Sequence, residues 1–156
     1  MTDEDFMRIA IDKAREGILA GQAPFGAAVV RDGQVIAATH NSVWLDGDPT
    51  AHAEVNAIRR AAAVSPAVFL PGCTMYTTCE PCPMCLAAIH WSKIERAVYG
   101  AAIADAAAAG FSELCIDARK MVEVGGSRLR VDLGPLREEC RDLFRFWKEV
   151  GLARPY

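Results

Sequence analysis

Four side chains in two short stretches carry the chemistry of this chain: His52 and Glu54, then Cys82 and Cys85. Within Pro81-Cys82-Pro83-Met84-Cys85 the cysteines are three apart, so at a helix start both thiols share one face. Pro81 and Pro83 suit a first helical turn, where a missing N–H costs little. The positive end of a helix also favours thiolate over thiol. Adding His52 gives a His-Cys-Cys set, which leaves a tetrahedral Zn²⁺ one open position for water. Zinc lowers the pKa of such a water from ~16 towards ~7. Glu54 follows His52 by two residues, near the metal without being needed as a ligand. A carboxylate there can take a proton from the water and pass it to a leaving amine.

Two other readings compete. A lone C-x-x-C also serves as a redox pair, but no thioredoxin-like pattern surrounds it and His52 and Glu54 would then be idle. A structural zinc site wants four protein ligands. Cys79 lies three before Cys82, but it falls at the end of an expected strand rather than on the same helical face. Catalytic zinc is the stronger reading.

The elements that must position these groups follow from pattern. Thr2 caps an expected helix running to about Ala20, with Asp3, Glu4 and Asp5 in its first turn and Gly21 at its end. Ala27–Arg31 and Gln34–Thr39 read as strands around the Asp32-Gly33 hairpin turn. A loop over residues 40–50 contains Asn41 and Trp44. Thr50 is the expected N-cap of a helix through Ala63, so His52 and Glu54 sit at a helix start. Thr74–Thr78 reads as a strand, Cys82 to about Trp91 as the second metal-bearing helix and Arg96–Gly100 as a strand. Ala101–Ala109 reads as a helical or turn segment. Arg128–Leu133 is a short strand, and a helix from Pro135 carries Leu136, Cys140, Leu143, Trp147 and Val150 at helical spacing. A hairpin followed by helix–strand repeats implies an α/β fold with a mixed sheet.

Length and composition set bounds. At 156 residues the chain reads as a single domain, 1–156, with 52% hydrophobic and 24% charged residues, the make-up of a soluble globular protein. The acidic opening Met1-Thr2-Asp3-Glu4-Asp5 is unlike a secretory signal, and no apolar run approaches membrane-spanning length. A cytoplasmic location is expected. Cys73, Cys79, Cys115 and Cys140 are expected as small buried hydrophobes. The net charge of −3 offers no strong general attraction to nucleic acid.

The ordered pattern H-x-E then P-C-x-x-C is the signature of zinc nucleobase deaminases, and most of the chain resembles the cytidine-deaminase-like superfamily. That resemblance implies a three-layer α/β/α sandwich with a five-stranded mixed sheet, and zinc held between two helix N-termini. Asp48-Pro49-Thr50-Ala51-His52-Ala53-Glu54 and Glu80-Pro81-Cys82-Pro83-Met84-Cys85 are similar to two branches, the bacterial guanine deaminases and the tRNA-specific adenosine deaminases. Pro24-Phe25-Gly26, the segment Asp105 to Gly110-Phe111-Ser112-Glu113, and the terminal Tyr156 resemble the guanine branch. Residues 123–150 depart from it and look more like tRNA-type and unassigned nucleoside deaminases.

The resemblance implies roles. Asn41 matches the family's base-binding Asn, and its amide both donates and accepts; a turn residue is the alternative. Glu113 is expected to bind the guanine N–H edge and help move protons, with an exposed carboxylate as the alternative. The Ala53 amide is a further expected base contact. Phe25 and Trp91 are candidate aromatic walls, though each residue type is more often core than pocket. His90 reads as a packing or interface histidine. Arg154-Pro155-Tyr156 is expected to close over a pocket, in this chain or a partner's, against the alternative of a frayed terminus.

The expected reaction is hydrolytic deamination of a free purine base, guanine to xanthine and ammonia, by a Zn²⁺ enzyme acting as a homodimer. Adenosine deamination in a tRNA anticodon, deamination of a nucleoside or aminotriazine, and an inactive zinc-stabilised interaction module are the competitors. Glu54 argues against the last, since a structural site has no need of it.

Overall fold

The computed structural model describes residues 1–156. Its elements are α1 Asp3–Leu19, β1 Gly26–Arg31, β2 Gln34–His40, α2 Val43–Asp46, α3 Ala53–Val64 and β3 Cys73–Cys79. There follow α4 Pro83–Trp91, β4 Arg96–Ala101, α5 Ile103–Ala109, α6 Ala118–Gly125, β5 Arg130–Leu133 and α7 Arg137–Glu149. The five strands form one sheet in the order β2-β1-β3-β4-β5. β1 runs antiparallel to both β2 and β3, whereas β3, β4 and β5 are parallel. The sheet is therefore mixed, as expected.

Asp32 and Gly33 both adopt positive φ, 51° and 74°, which a tight two-residue hairpin turn demands. The parallel half needs crossovers, and α4 supplies the one from β3 to β4. This crossover is what brings the second metal-bearing stretch to the same sheet edge as α3.

Side chains alternate across the strands and divide the core in two. Ala27, Val29, Met75, Ala97 and Tyr99 face α3, α4 and α6 with Ala57, Leu86, Ile89 and Ala118. Val30, Tyr76 and Val98 face the other way, against Met7, Ile11, Ile18 of α1 and Cys140, Leu143, Trp147 of α7. These are the three layers of an α/β/α sandwich. Packing is close enough on this second face to require two glycines. A Cβ at Gly26 would overlap the backbone of Ala10 and Ala14, and one at Gly100 would overlap the Cys140 side chain.

Several boundaries differ from expectation. α3 begins at Ala53 with His52 as its N-cap, not at Thr50. The Thr50 amide and hydroxyl both bond Asp48 Oδ1, at 2.8 and 2.7 Å, so Thr50 belongs to a turn ahead of the helix. The loop over 40–50 contains the short α2. Helix α6 was not foreseen, because 118–125 ARKMVEVG holds only two turns and its Gly-Gly end reads as loop. α7 starts at Arg137, after Leu136 in left-handed backbone at φ 57°. Cys115 is exposed, whereas Cys73, Cys79 and Cys140 are buried as expected. It lies on the extended segment between α5 and α6, which packs only at intervals.

Candidate active site

His52 and Cys82 are both N-cap residues, of α3 and α4 respectively, and Cys85 lies one turn further along α4. Neither side chain makes a capping hydrogen bond, and the His52 ring and Cys82 thiol face each other across the helix starts. His52 Nδ1 lies 3.7 Å from Cys82 Sγ and 3.5 Å from Cys85 Sγ. All three donor atoms lie within 4.8 Å of one another. With Zn–S of about 2.3 Å and Zn–N of about 2.05 Å, tetrahedral angles require N···S of about 3.5 Å. The donor set therefore fits zinc, with both nitrogen-to-sulfur edges close to the length the metal demands.

The electrostatics agree. The Cys82 thiol is pulled down to about 4, first by the Cys85 thiol that hydrogen-bonds to it and then by His52. Cys85 is pushed up because it supplies that hydrogen bond and is buried. Burial opposes charge on His52, but the hydrogen bond to Cys82 and the negative charge of Glu54 and Cys82 outweigh it and raise its pKa. A bound dication would hold these groups as two thiolates and a neutral imidazole, displacing the protons that Cys85 and His52 otherwise keep.

Glu54 is fully inside the fold. Thr77 Oγ1 donates to Oε1 at 3.2 Å, and Cys85 Sγ lies 3.5 Å from Oε2. Burial, reinforced by the negative charge at Cys82, raises its carboxyl pKa, which strengthens it as a proton acceptor.

A cavity of about 200 Å³ opens over these groups, lined by Pro49, His52, Cys82, Glu113, Leu114 and Tyr156 among others. Burial, then the negative charge at Cys82, pushes the Glu113 carboxyl up to about 7. Tyr156 tilts over His52 with ring centroids 5.7 Å apart, and edges against Phe111 at 5.3 Å. Its hydroxyl accepts from Asn41 Nδ2 at 2.6 Å, and its carbonyl accepts from the Ser112 amide at 2.8 Å. Larger hollows exist, such as one of about 570 Å³ between α5 and α7, but they carry no metal-donor set.

Residues 1–101 match the family described as the cytidine and deoxycytidylate deaminase zinc-binding region. The chain belongs to this zinc-dependent deaminase family. It is similar to the guanine deaminase of Bacillus subtilis, at 50% identity over 72% of this chain and 73% of that one. It is also similar to the tRNA-specific adenosine deaminase of Aquifex aeolicus, at 41% identity over 65% of this chain and 67% of that one. The solved guanine deaminase of Nitrosomonas europaea superposes with a TM-score of 0.85 at 31% identity, covering 94% of this chain and 84% of that one.

Not every residue singled out in the sequence reaches the cleft of this deaminase. Trp91 is 71% exposed at the far end of α4, roughly 13 Å of helix from Cys82 at 1.5 Å per residue. Phe25 packs edge-on against Phe111 and Phe144, with centroids 4.9 and 5.8 Å away. It supports the ring that supports Tyr156 and does not line the cavity. Asn41 is wholly buried, and its Oδ1 accepts from the Val43 amide at 3.1 Å. It thus serves the local turn as well as Tyr156. Ala53 is buried at the start of α3, its carbonyl accepting from Thr39 Oγ1. His90 bonds Ser127 on the surface at 2.7 Å, a packing role as expected.

Three supporting residues escaped sequence reasoning. Asn56 Nδ2 bonds the carbonyls of His40 and Ala51 and the Ser42 hydroxyl, which fixes the loop leading into His52. Glu80 accepts from the Ile103 and Ala118 amides at 3.0 and 2.8 Å. One buried carboxylate thereby ties both ends of the segment bearing Glu113. Thr77 holds Glu54. Each acts through a long-range hydrogen bond, which leaves no periodic trace in a sequence; only the position of Glu80 beside the cysteine motif was a signal.

Proposed function

We propose that this deaminase hydrolyses guanine to xanthine and ammonia, with zinc held by His52, Cys82 and Cys85. The observation that carries the reading is the cavity of about 200 Å³ that Tyr156 and Glu113 wall off above the metal donors. Ligand pockets usually span ~300–1,000 Å³, so this one suits a free base better than a nucleotide held in an RNA loop. The guanine deaminase relatives support the same substrate class.

When bound, zinc supplies an acidified water and a Lewis acid beside it. Glu54 takes a proton from the attacking water and delivers it to the amino nitrogen as the bond from that nitrogen to C2 breaks. Its buried position and raised pKa suit both halves of that transfer. Glu113 accepts from the N1–H and amino edge of guanine, while Asn41 acts through the Tyr156 hydroxyl it holds. Tyr156 lies against the ring face and limits water entry. Burial pushes its hydroxyl pKa upwards, so it remains protonated through neutral pH.

No helix is long and apolar enough to cross a membrane, and the chemistry concerns a small metabolite; we infer a cytoplasmic enzyme. We also infer one domain, since a single sheet carries both layers, and a homodimer, since Trp91 and Val124 remain largely exposed. Sedimentation giving a monomer at micromolar concentration would remove the dimer from this reading.

The decisive assay is ammonia release from guanine, adenine, guanosine, adenosine and a tRNA anticodon stem-loop. Guanine should be turned over at least tenfold faster than the rest. Turnover of the stem-loop with guanine untouched would replace this reading with tRNA adenosine deamination.

A further inference from the structure

Residues 151–156 follow the last helix without secondary structure of their own. Chain ends of this kind fray unless something ties them down. Gly151, at φ 76°, turns the chain back over the molecule, and Tyr156 ends above His52. Two of its ties, from Asn41 and Ser112, are to Tyr156 itself. A further tie lies two residues earlier. The Trp44 indole N–H donates to the Arg154 carbonyl at 3.0 Å. The Arg154 guanidinium in turn lies over the Trp44 ring, 4.5 Å from its centroid. Trp44 also meets Tyr156 edge-on at 6.2 Å.

Trp44 needs another explanation if this one is set aside. It is 39% exposed on a four-residue helix and belongs to neither core cluster. Helix α2 is itself anchored, through the Val43 amide to Asn41 Oδ1 and the Leu45 amide to Gln22 Oε1 at 3.2 Å. The contacts therefore close a ring: Asn41 holds α2, α2 presents Trp44, Trp44 grips Arg154, and Tyr156 returns to Asn41.

We propose that Trp44 is a positioning residue that clamps the C-terminal segment through Arg154 and so sets Tyr156 as a wall of the base site. This rests on the deaminase reading above. Trp44 touches no reacting atom; its effect passes through Tyr156. Uniform loss of a binding wall raises KM and leaves kcat.

The test compares Trp44→Ala, Trp44→Phe, the chain ending at Ala153, and that shortened chain carrying Trp44→Ala. Trp44→Ala should raise KM for guanine about three- to tenfold with kcat within about twofold, the loss of one hydrogen bond and one exposed cation–π contact. Trp44→Phe keeps a ring beneath Arg154 without the N–H, and should fall between. In the shortened chain Trp44→Ala should change KM by less than about twofold, because coupled groups are not additive. Independently of any substrate, hydrogen exchange at the Ser112 amide should quicken in Trp44→Ala while the Met75 and Ala97 amides keep their protection. An equal KM penalty in the shortened chain, wild-type exchange at Ser112, or loss of protection throughout the sheet would each overturn the proposal. If the wild-type protein leaves guanine intact, the substrate reading falls, and exchange at Ser112 still decides whether Trp44 holds the segment.

Discussion

The two regions that meet at the cleft are built differently. The floor comes from residues 52–85: two helix starts backed by the sheet, with Glu54 and Cys85 buried and every donor atom held by an element that crosses the core. The wall comes from residues 110–117 and 151–156, which have no regular structure; Phe111 anchors it in the core, hydrogen bonds from Asn41 and Trp44 and between Ser112 and Tyr156 tie the rest, and Glu80 holds the Ala118 amide just beyond. The family match ends at residue 101, before either wall segment. In the proposed reading, chemistry that needs sub-ångström placement is carried by rigid elements, while the choice of substrate is left to segments that can change without disturbing the sheet.

The sharpest way to break this contrast is on the floor. Cys85→Ser should lose its zinc by elemental analysis and with it all measurable turnover. Glu54→Gln should keep zinc and fold but lose ~10²–10⁴-fold in kcat, the usual share of a general acid–base group. A Glu54→Gln enzyme within about threefold of wild type would remove Glu54 from proton transfer.

A wall residue should cost less and cost selectively. Glu113→Ala should retain zinc and lower kcat/KM for guanine by about 10²-fold, the loss of a charged hydrogen bond worth roughly 1.5–3 kcal/mol. Equal losses on every accepted base would show that Glu113 supports the fold of the wall rather than reading the guanine edge.

Stability should show the same division. Gly100→Ala drives a methyl into Cys140 where α7 packs on β4, and should cost about 1–3 kcal/mol. Gly125→Ala, at the end of α6 with nothing nearby, should be neutral or stabilise by up to ~1 kcal/mol. Thermal melts of the two variants suffice, and a reversed order would undo the packing argument.

The smallest expected effect lies on the α1 side of the sheet, near the start of β4. Arg96 bonds Asp3 at 2.8 Å and Asp132 at 2.7 Å, and the Tyr76 hydroxyl donates to Asp3 at 2.6 Å. The bond from Arg96, above all, holds the Asp3 carboxyl below its usual range. A lowered carboxyl pKa stabilises the fold above the unfolded value of about 3.9 and is lost as pH falls through the folded one. The Tm deficit of Asp3→Asn should therefore be present at pH 7 and close below about pH 4. A constant deficit across that range would assign the loss to packing.

The sequence alone determined the candidate metal donors, the carboxylate proposed to carry the proton and the architecture around them. His52, Glu54, Cys82 and Cys85 are legible because local spacing dictates which side chains a helix start can present, and strand and helix periods are local too. Tertiary structure decided the cap positions. An Asp48 turn takes up Thr50, which leaves His52 as the cap with its ring turned to the sulfurs. It also decided which aromatic residues matter. Trp91 is adjacent to the motif in sequence yet a helix length from the cleft, whereas Tyr156 reaches it from the end of the chain. Trp44, Asn56 and Glu80 became visible only in the fold, because a single long-range hydrogen bond between an irregular segment and a distant side chain imposes no repeat on the sequence.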